Sequence, residues 1–226
     1  MTATTLDTLT TRLLLTLGDV SANRFTSDIT TEAWKLALAE YSYAVPNIYT
    51  KTFTVTQAGR EQALPITGTP PPDIFPGLLS ITEVLFPWID DTEEMDPFQK
   101  YYFYFTDGLP VVYIGGNRTP AVGDNIRISY AATHTIDGLN SALTCTVPTF
   151  DFELLLMGAS GHAARLRTAI YSESFSNHPE LKAFAEDNLT QFRATLRTMR
   201  RQSSRQPLPA VGFQLDNWDG PNGATL

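Results

Sequence analysis

The sequence predicts an α+β fold: helices at both ends of the chain, with an antiparallel β-module inserted between them. Three observations carry that expectation. Leucines recur at helical spacing through Leu6, Leu9, Leu13 and Leu17. Strict alternation replaces that period in "YTKTFTVTQ" and "DNIRISYAATHT". Helical spacing then returns late, through Leu181, Ala185, Leu189, Phe192, Leu196 and Met199. A switch of period from 3.6 to 2 and back is the signature of strands bracketed by helices.

The first helix is predicted over Thr5 to Leu17, with Gly18 supplying its C-terminal cap. The loop "GDVSANRFTSD" follows, and Asp28 is the expected N-cap of the second helix, with Glu32 favouring its first turn. Ile29, Ala33, Leu36, Ala37, Glu40, Tyr41 and Ala44 form the stripe of that helix, Trp34 lies beside it, and Pro46 stops it. A pair of helices this small is not stable alone. In the middle, "YTKTFTVTQ" reads as a half-buried strand with Phe53 and Val55 on one face. "ALPITGTPPPDIFPG" reads as loop, since Pro70-Pro71-Pro72 cannot join a ladder. "LLSITEVLFPWI" reads as a strand, followed by the acidic loop "DDTEEMDP". "KYYFYF" and "LPVVYIGG" form a hairpin turning at Asp107-Gly108, with Tyr101, Phe103 and Phe105 on a core face. Ile126, Ile128 and Tyr130 point one way in the last strand. Four to six strands would make a sheet, a sandwich or a small barrel.

Pro148-Thr149 precedes a third helix, "FDFELLLMGASGHAARLRTAI", whose Gly158, Ala159, Gly161, Ala163 and Ala164 leave one face nearly smooth, open to close approach of a neighbouring helix. Pro179 sits in the first turn of the last helix. The expected units are residues 1–47, a helical hairpin; 48–147, the inserted β-module; 148–202, helices completing a small bundle; and 203–226, an extended tail. That tail carries Phe213, Leu215 and Trp218. It reads as a disordered terminus or, since isolated aromatics are costly to leave exposed, as a docking segment.

Composition fits a globular protein of 226 residues, 42% hydrophobic and 18% charged. No apolar run approaches the roughly 18 residues of a membrane span, and the first residues lack a secretory pattern. With Cys145 as the single cysteine there is no internal disulfide framework, and an intracellular origin is expected. The net charge of −8 is uneven. Asp73, Glu83, Asp90, Asp91, Glu93, Glu94, Asp96 and Asp107 face a single Lys100 in one stretch, whereas Gln191 to Arg205 carries only Arg193, Arg197, Arg200, Arg201 and Arg205. Overall acidity argues against a dedicated nucleic-acid binder. The segregation suggests complementary surfaces on copies of one chain.

Motifs that carry chemistry are missing. His134, His162 and His178 show no metal-ligand spacing. The acidic loop lacks the glycine and ligand spacing of a calcium loop, and reads as solvated or as an electrostatic contact with the basic last helix of another copy. Neither Gly115-Gly116 nor "GASGHAAR" matches a phosphate-binding loop or a nucleophile elbow. Cys145 reads as a small buried hydrophobe. No catalytic residue, metal or cofactor is expected, and the chain is not read as an enzyme. Arg193, Arg197 and Arg200 share one side of the last helix, as a solvated face, an intersubunit surface or a DNA-facing one.

With "LGD" closing the first helix, "RFTSDITTEAWKLALAEYS" opening the second, and "YAATHTIDGLNSALTCTVPTFDFELLLMGASGHAAR" passing from the last strand into a small-residue helix, the chain resembles the head-to-tail adaptor (connector) proteins of tailed bacteriophages. The resemblance covers most of the chain through loose motifs. It implies a virion protein made in the host cytoplasm and assembled as a ring, typically of twelve copies, beneath the portal. The ring would extend the channel for genomic DNA, without sequence recognition or membrane contact, and dock the next neck or tail protein. It also implies that the C-terminal segment reaches the portal through Phe213, Leu215 and Trp218. Arg193, Arg197, Arg200, Arg201, Asp90, Asp91, Glu93 and Glu94 would face the next subunit or the channel. The alternatives are another neck component, a stopper or tail terminator, and a carbohydrate- or receptor-binding module built on "FPWIDD" and "YYFYF".

Overall fold

A computed structural model describes residues 5–64, 75, 77–89, 100–107, 109–170 and 179–203. Within them the chain is mixed α+β, with four α-helices and two three-stranded antiparallel sheets.

Helix α1, Leu6–Thr16, is capped by the Thr5 hydroxyl at its start. At its end Gly18 adopts φ 66°, and its N–H and that of Asp19 return to the carbonyls of Leu15 and Leu14. This is a Schellman closure, which needs the left-handed residue that glycine supplies without strain. Helix α2, Ser27–Ala44, starts two residues earlier than expected. Thr26, not Asp28, is its N-cap, and Asp28 lies inside the first turn.

The loop between them is organised by Asp19, which sequence reasoning passed over. Its buried carboxylate accepts from the backbone N–H of Arg24 at 2.6 Å, Phe25 at 2.7 Å and Asn23 at 3.3 Å. Burial alone would raise its pKa, but the three N–H donors and the Arg24 charge outweigh it and hold the carboxyl below the usual range. The loop thereby places Phe25 in a cluster with Ile29, Ala33 and Ala163. Arg167 stacks over the Phe25 ring and donates to the Arg24 carbonyl. Because the folded pKa is depressed, the Asp19 contribution is complete above the unfolded value and is lost as pH falls through the folded one. Asp19→Asn should therefore lower the melting temperature at neutral pH and remove part of the acid sensitivity. It should also speed hydrogen exchange at Arg24 and Phe25; unchanged exchange there would refute the role.

The β-module follows. Strands β1 (Asn47–Thr54), β6 (Asn125–Ala132) and β3 (Leu78–Leu85) form one sheet in the order β1-β6-β3. Strands β2 (Glu61–Ala63), β5 (Leu109–Ile114) and β4 (Tyr101–Thr106) form the other, in the order β2-β5-β4. The short β2 pairs with β5 through Gln62↔Val112, so Ala63, where the sequence predicts a loop to begin, is the last residue of a strand. Ile126, Ile128 and Tyr130 are fully buried on one face of β6, as the alternation predicts. With Val84, Val112 and Ile114 they form one apolar cluster shared by the two sheets. The β4–β5 hairpin turns after Thr106↔Leu109, with Asp107 at φ 51°. The predicted core face of β4 holds only in part: Tyr101 and Phe103 pack on the cluster, but Phe105 is 59% exposed. Phe105 pairs with Pro110 next to the hairpin turn, at the end of the strand away from Tyr101. The proline-rich loop and the acidic loop lie outside the described residues, apart from Ala63, Leu64, Phe75 and Gly77.

Helix α3, Phe152–Ile170, follows a single 3-10 turn at Thr149–Asp151, and helix α4 runs Pro179–Ser203. Helix α3 packs against α1, α2 and α4. Leu9, Leu13, Trp34, Tyr41, Leu155, Ala159, Phe192 and Leu196 share one apolar cluster drawn from all four helices. The smooth face of α3 is covered from within the chain. A Cβ placed on Gly158 would lie 2.8 Å from the Phe192 ring, and one on Gly161 would lie 2.8 Å from Leu189 Cγ. These glycines let α4 approach, and α4 is the neighbouring helix that the smooth face of α3 is predicted to admit.

Candidate functional site

Charged side chains from three helices, Glu40, His162 and Arg193, converge on the flank of α4 against α2 and α3. Helix α4 is long, and its apolar positions Ala185, Leu189, Phe192 and Leu196 recur every three or four residues. That spacing puts them on one face. The arginines fall beside that face, and Arg193, four residues after Leu189, sits at its edge.

Arg193 is paired within the chain. Its Nε and Nη2 donate to the two carboxylate oxygens of Glu40 on α2, at 2.8 and 2.6 Å. A two-pronged pair of this kind fixes direction as well as charge. Arg193, named among the intersubunit or channel-facing candidates, thus pairs within its own chain: an acid in the α2 stripe takes its cation from α4. The guanidinium bonds, set against partial burial, hold the Glu40 carboxyl below the usual range. His162 of α3 is the third member. It is buried, and its Nε2 lies 3.3 Å from Glu40 Oε1 without forming a hydrogen bond. Burial pushes the imidazole pKa down; the Arg193 and Arg165 charges push the same way, and Glu40 only partly opposes them.

Both shifts have the same consequence. A histidine whose folded pKa is depressed takes up protons more readily when unfolded, so its neutral form favours folding above about pH 6.5 and the advantage is lost below it. Glu40 adds a second loss at lower pH, as pH falls through its depressed value. The wild-type melting temperature should thus fall on acidification from pH 7 to pH 5, and His162→Gln should flatten that limb. An unchanged limb in the variant would refute the assignment.

Beyond the pair, Arg197 and Arg200 continue along α4 and are exposed. With Glu40, Tyr43, Ala44, Arg193 and Leu196 they line an open cleft of about 270 Å³ between the C-terminal halves of α2 and α4. A second cleft, of about 550 Å³, lies between α3 and α4 among Arg165, Lys182, Glu186, Thr190 and Arg193. Arg201 is exposed on the last turn. Asp90, Asp91, Glu93 and Glu94, and the tail residues Phe213, Leu215 and Trp218, lie outside the described residues.

The other singled-out residues serve the fold. His134 is buried and spans the two ends of the β-module: its Nε2 lies 2.9 Å from the Val45 carbonyl, its Nδ1 lies 3.1 Å from the Thr146 carbonyl, and its N–H donates to the Ser42 hydroxyl. Cys145 is half-buried, and burial pushes its thiol pKa up, away from the thiolate a nucleophile needs. Tyr41 and Asp151 form a buried hydrogen bond of 2.5 Å that sequence spacing could not reveal, because 110 residues separate them. Among the described residues no group of three His, Cys, Asp or Glu side chains is placed to hold a metal ion, and no helix is long and apolar enough to cross a membrane.

Compared with known families and curated proteins, the chain matches no family model and no curated protein significantly.

Proposed function

We propose that this chain is a structural virion protein, a head-to-tail adaptor that assembles as a ring beneath the portal, extends the DNA channel and docks the next neck or tail protein. The observation that carries the reading is the arrangement of the chain. Helices from its two ends share one apolar cluster, and the β-module is inserted between them. This is the bundle-plus-module plan that the adaptor resemblance implies. The uneven charge supports it, since an acidic stretch and a basic last helix on the same chain suit a head-to-tail contact that closes into a ring. Arg193, Arg197, Arg200 and Arg201 are the subunit- or channel-facing candidates on α4, with Asp90, Asp91, Glu93 and Glu94 of the acidic stretch, and Phe213, Leu215 and Trp218 are the portal anchors. The role is architectural, without catalysis or cofactor.

Native mass spectrometry of the purified chain, alone and mixed with the portal ring of its own virus, tests the reading. A ring-sized species, or a defined multiple bound to the portal, is the expected result. A monomer that ignores the portal overturns it. Truncation after Gln206 should abolish portal binding while leaving the helices folded.

One observation keeps a second reading in play. Tyr102 and Phe105 of the β4–β5 hairpin are 62% and 59% exposed, and the Phe103 and Phe105 rings lie 5.2 Å apart. A carbohydrate- or receptor-binding module would use such rings. Binding on a glycan array that Phe105→Ala removes would favour it.

A further inference from the structure

We propose that Glu40, His162 and Arg193 form a proton-operated exchange of ion pairs: when His162 takes up a proton it becomes the cation of Glu40, and Arg193 is released into the open cleft between α2 and α4. The device belongs to the single chain and operates whether or not copies assemble into a ring.

One carboxylate oxygen is offered two cations. Glu40 Oε1 accepts from Arg193 Nη2 at 2.6 Å, and His162 Nε2 lies 3.3 Å from the same atom. That Nε2 is buried and has no hydrogen-bond partner among the described residues. A buried polar atom in this state is rare in a packed protein and needs a reason. Protonation supplies one. A neutral imidazole carries a proton on one ring nitrogen only, whereas the imidazolium donates from both, so Nε2 then has a proton to give to Oε1. The contact needs to shorten only slightly to reach an ordinary hydrogen-bond length.

Burial decides which cation yields. The His162 side chain is 5% exposed, whereas the Arg193 side chain is 41% exposed and borders the cleft. One carboxylate between two cations leaves a net positive charge, and a charge kept from water without its own partner is costly. The imidazolium has no route to water, so it keeps Glu40. The guanidinium has one, and swings into the cleft. The charges acting on His162 are Glu40 from α2, Arg193 from α4 and Arg165 from its own helix. Arg165 is exposed and adds to the repulsion between the cations. Nearby charges on the packed helices are taken up in pairs of their own: Glu32 with Lys35 on α2, and Lys182 with Glu186 on α4. Helix α1, which also packs on α3, brings Arg12 to Glu153, nine positions before His162.

An NMR titration of the full chain from about pH 8 to about pH 5 is the test, spanning the ordinary histidine range. It follows the His162 ring nitrogens together with the Arg193 guanidinium. While Glu40 holds both prongs, the two Nη groups of Arg193 are distinct and give separate signals; on release they average into one. The averaging is expected to share its midpoint with protonation of His162, below the ordinary value for histidine. In His162→Gln the two Nη signals should stay separate throughout. In Arg193→Gln, His162 is left as the cation of Glu40, and its midpoint should rise by about one pH unit or more. A ring that stays neutral until the chain unfolds overturns the exchange. So does a ring that titrates while Arg193 keeps two separate Nη signals, or a midpoint unmoved in Arg193→Gln. Should that variant not fold, the titration of the parent chain decides by itself.

Discussion

Phe192→Ala is expected to destabilise the chain by about 3–5 kcal/mol, the range for removing a buried aromatic ring from a packed core. Phe192 has no exposed surface and joins the cluster to which all four helices contribute. The loss is also specific in a way that a cycle can read. Gly158→Ala adds a Cβ 2.8 Å from that ring, and overpacking of about 1–3 kcal/mol competes with a helix-propensity gain of up to about 1 kcal/mol. With the ring removed the clash is gone and only the gain remains, so the same Gly158→Ala change should stabilise the Phe192→Ala chain. Urea titrations of the four chains give the coupling, expected at about 1–3 kcal/mol. An equal effect of Gly158→Ala in both backgrounds would mean that α4 does not lie where the structure puts it. Gly161 supplies the contrast. Its Cβ would meet the Leu189 backbone nitrogen at 3.2 Å as well as the side chain, so Leu189→Ala should rescue Gly161→Ala only in part.

The second large effect is Tyr41→Phe, expected to cost about 1.5–3 kcal/mol, as for loss of a buried hydrogen bond to a charged group. The Tyr41 hydroxyl donates to Asp151 at 2.5 Å, with the tyrosine fully buried and the aspartate 6% exposed. Removing the hydroxyl strands the carboxylate beside apolar groups. Burial first, and the neighbouring acid second, push the phenol pKa well above its ordinary value. Its neutral form therefore favours folding below about pH 10, and that contribution is lost as pH rises further. Thermal melts between pH 8 and pH 11 should show an alkaline limb in the parent that shrinks in Tyr41→Phe. Identical limbs in the two chains would refute the assignment.

Periodicity was enough to find most elements. All four helices, the inward face of β6 and the β4–β5 hairpin follow from the spacing of apolar residues and a few turn residues. What it missed are features set by partners distant in sequence. The alternation of β4 suggested a buried face, but burial at Phe105 depends on whether anything lies above the hairpin tip, which spacing along one strand does not encode. The short β2 has too few residues to show a period. Glu40 is visible as an acid within an apolar stripe, yet its partner Arg193 is 153 residues away, beyond what spacing along one helix can show. The small residues of α3 were recognised as a surface for close approach, but the helix that approaches is α4 of the same chain. Asp19 could have been found: an Asp just after a helix-ending glycine, followed by several residues before the next helix, is suited to gather N–H groups from the turn.

His134 and its partners have a consequence for how this chain can change. The β-module leaves α2 at Val45 and returns at His134, and its first and last strands run side by side, with Asn47 opposite Ala132. Its two ends are thus about 5 Å apart. A short tether could close that gap at little entropic cost, so the module is a cassette: it can lengthen, shrink or be exchanged while the helices keep their packing. His134, hydrogen-bonded to Ser42, Val45 and Thr146, is the clasp that sets the angle at which any such cassette is held.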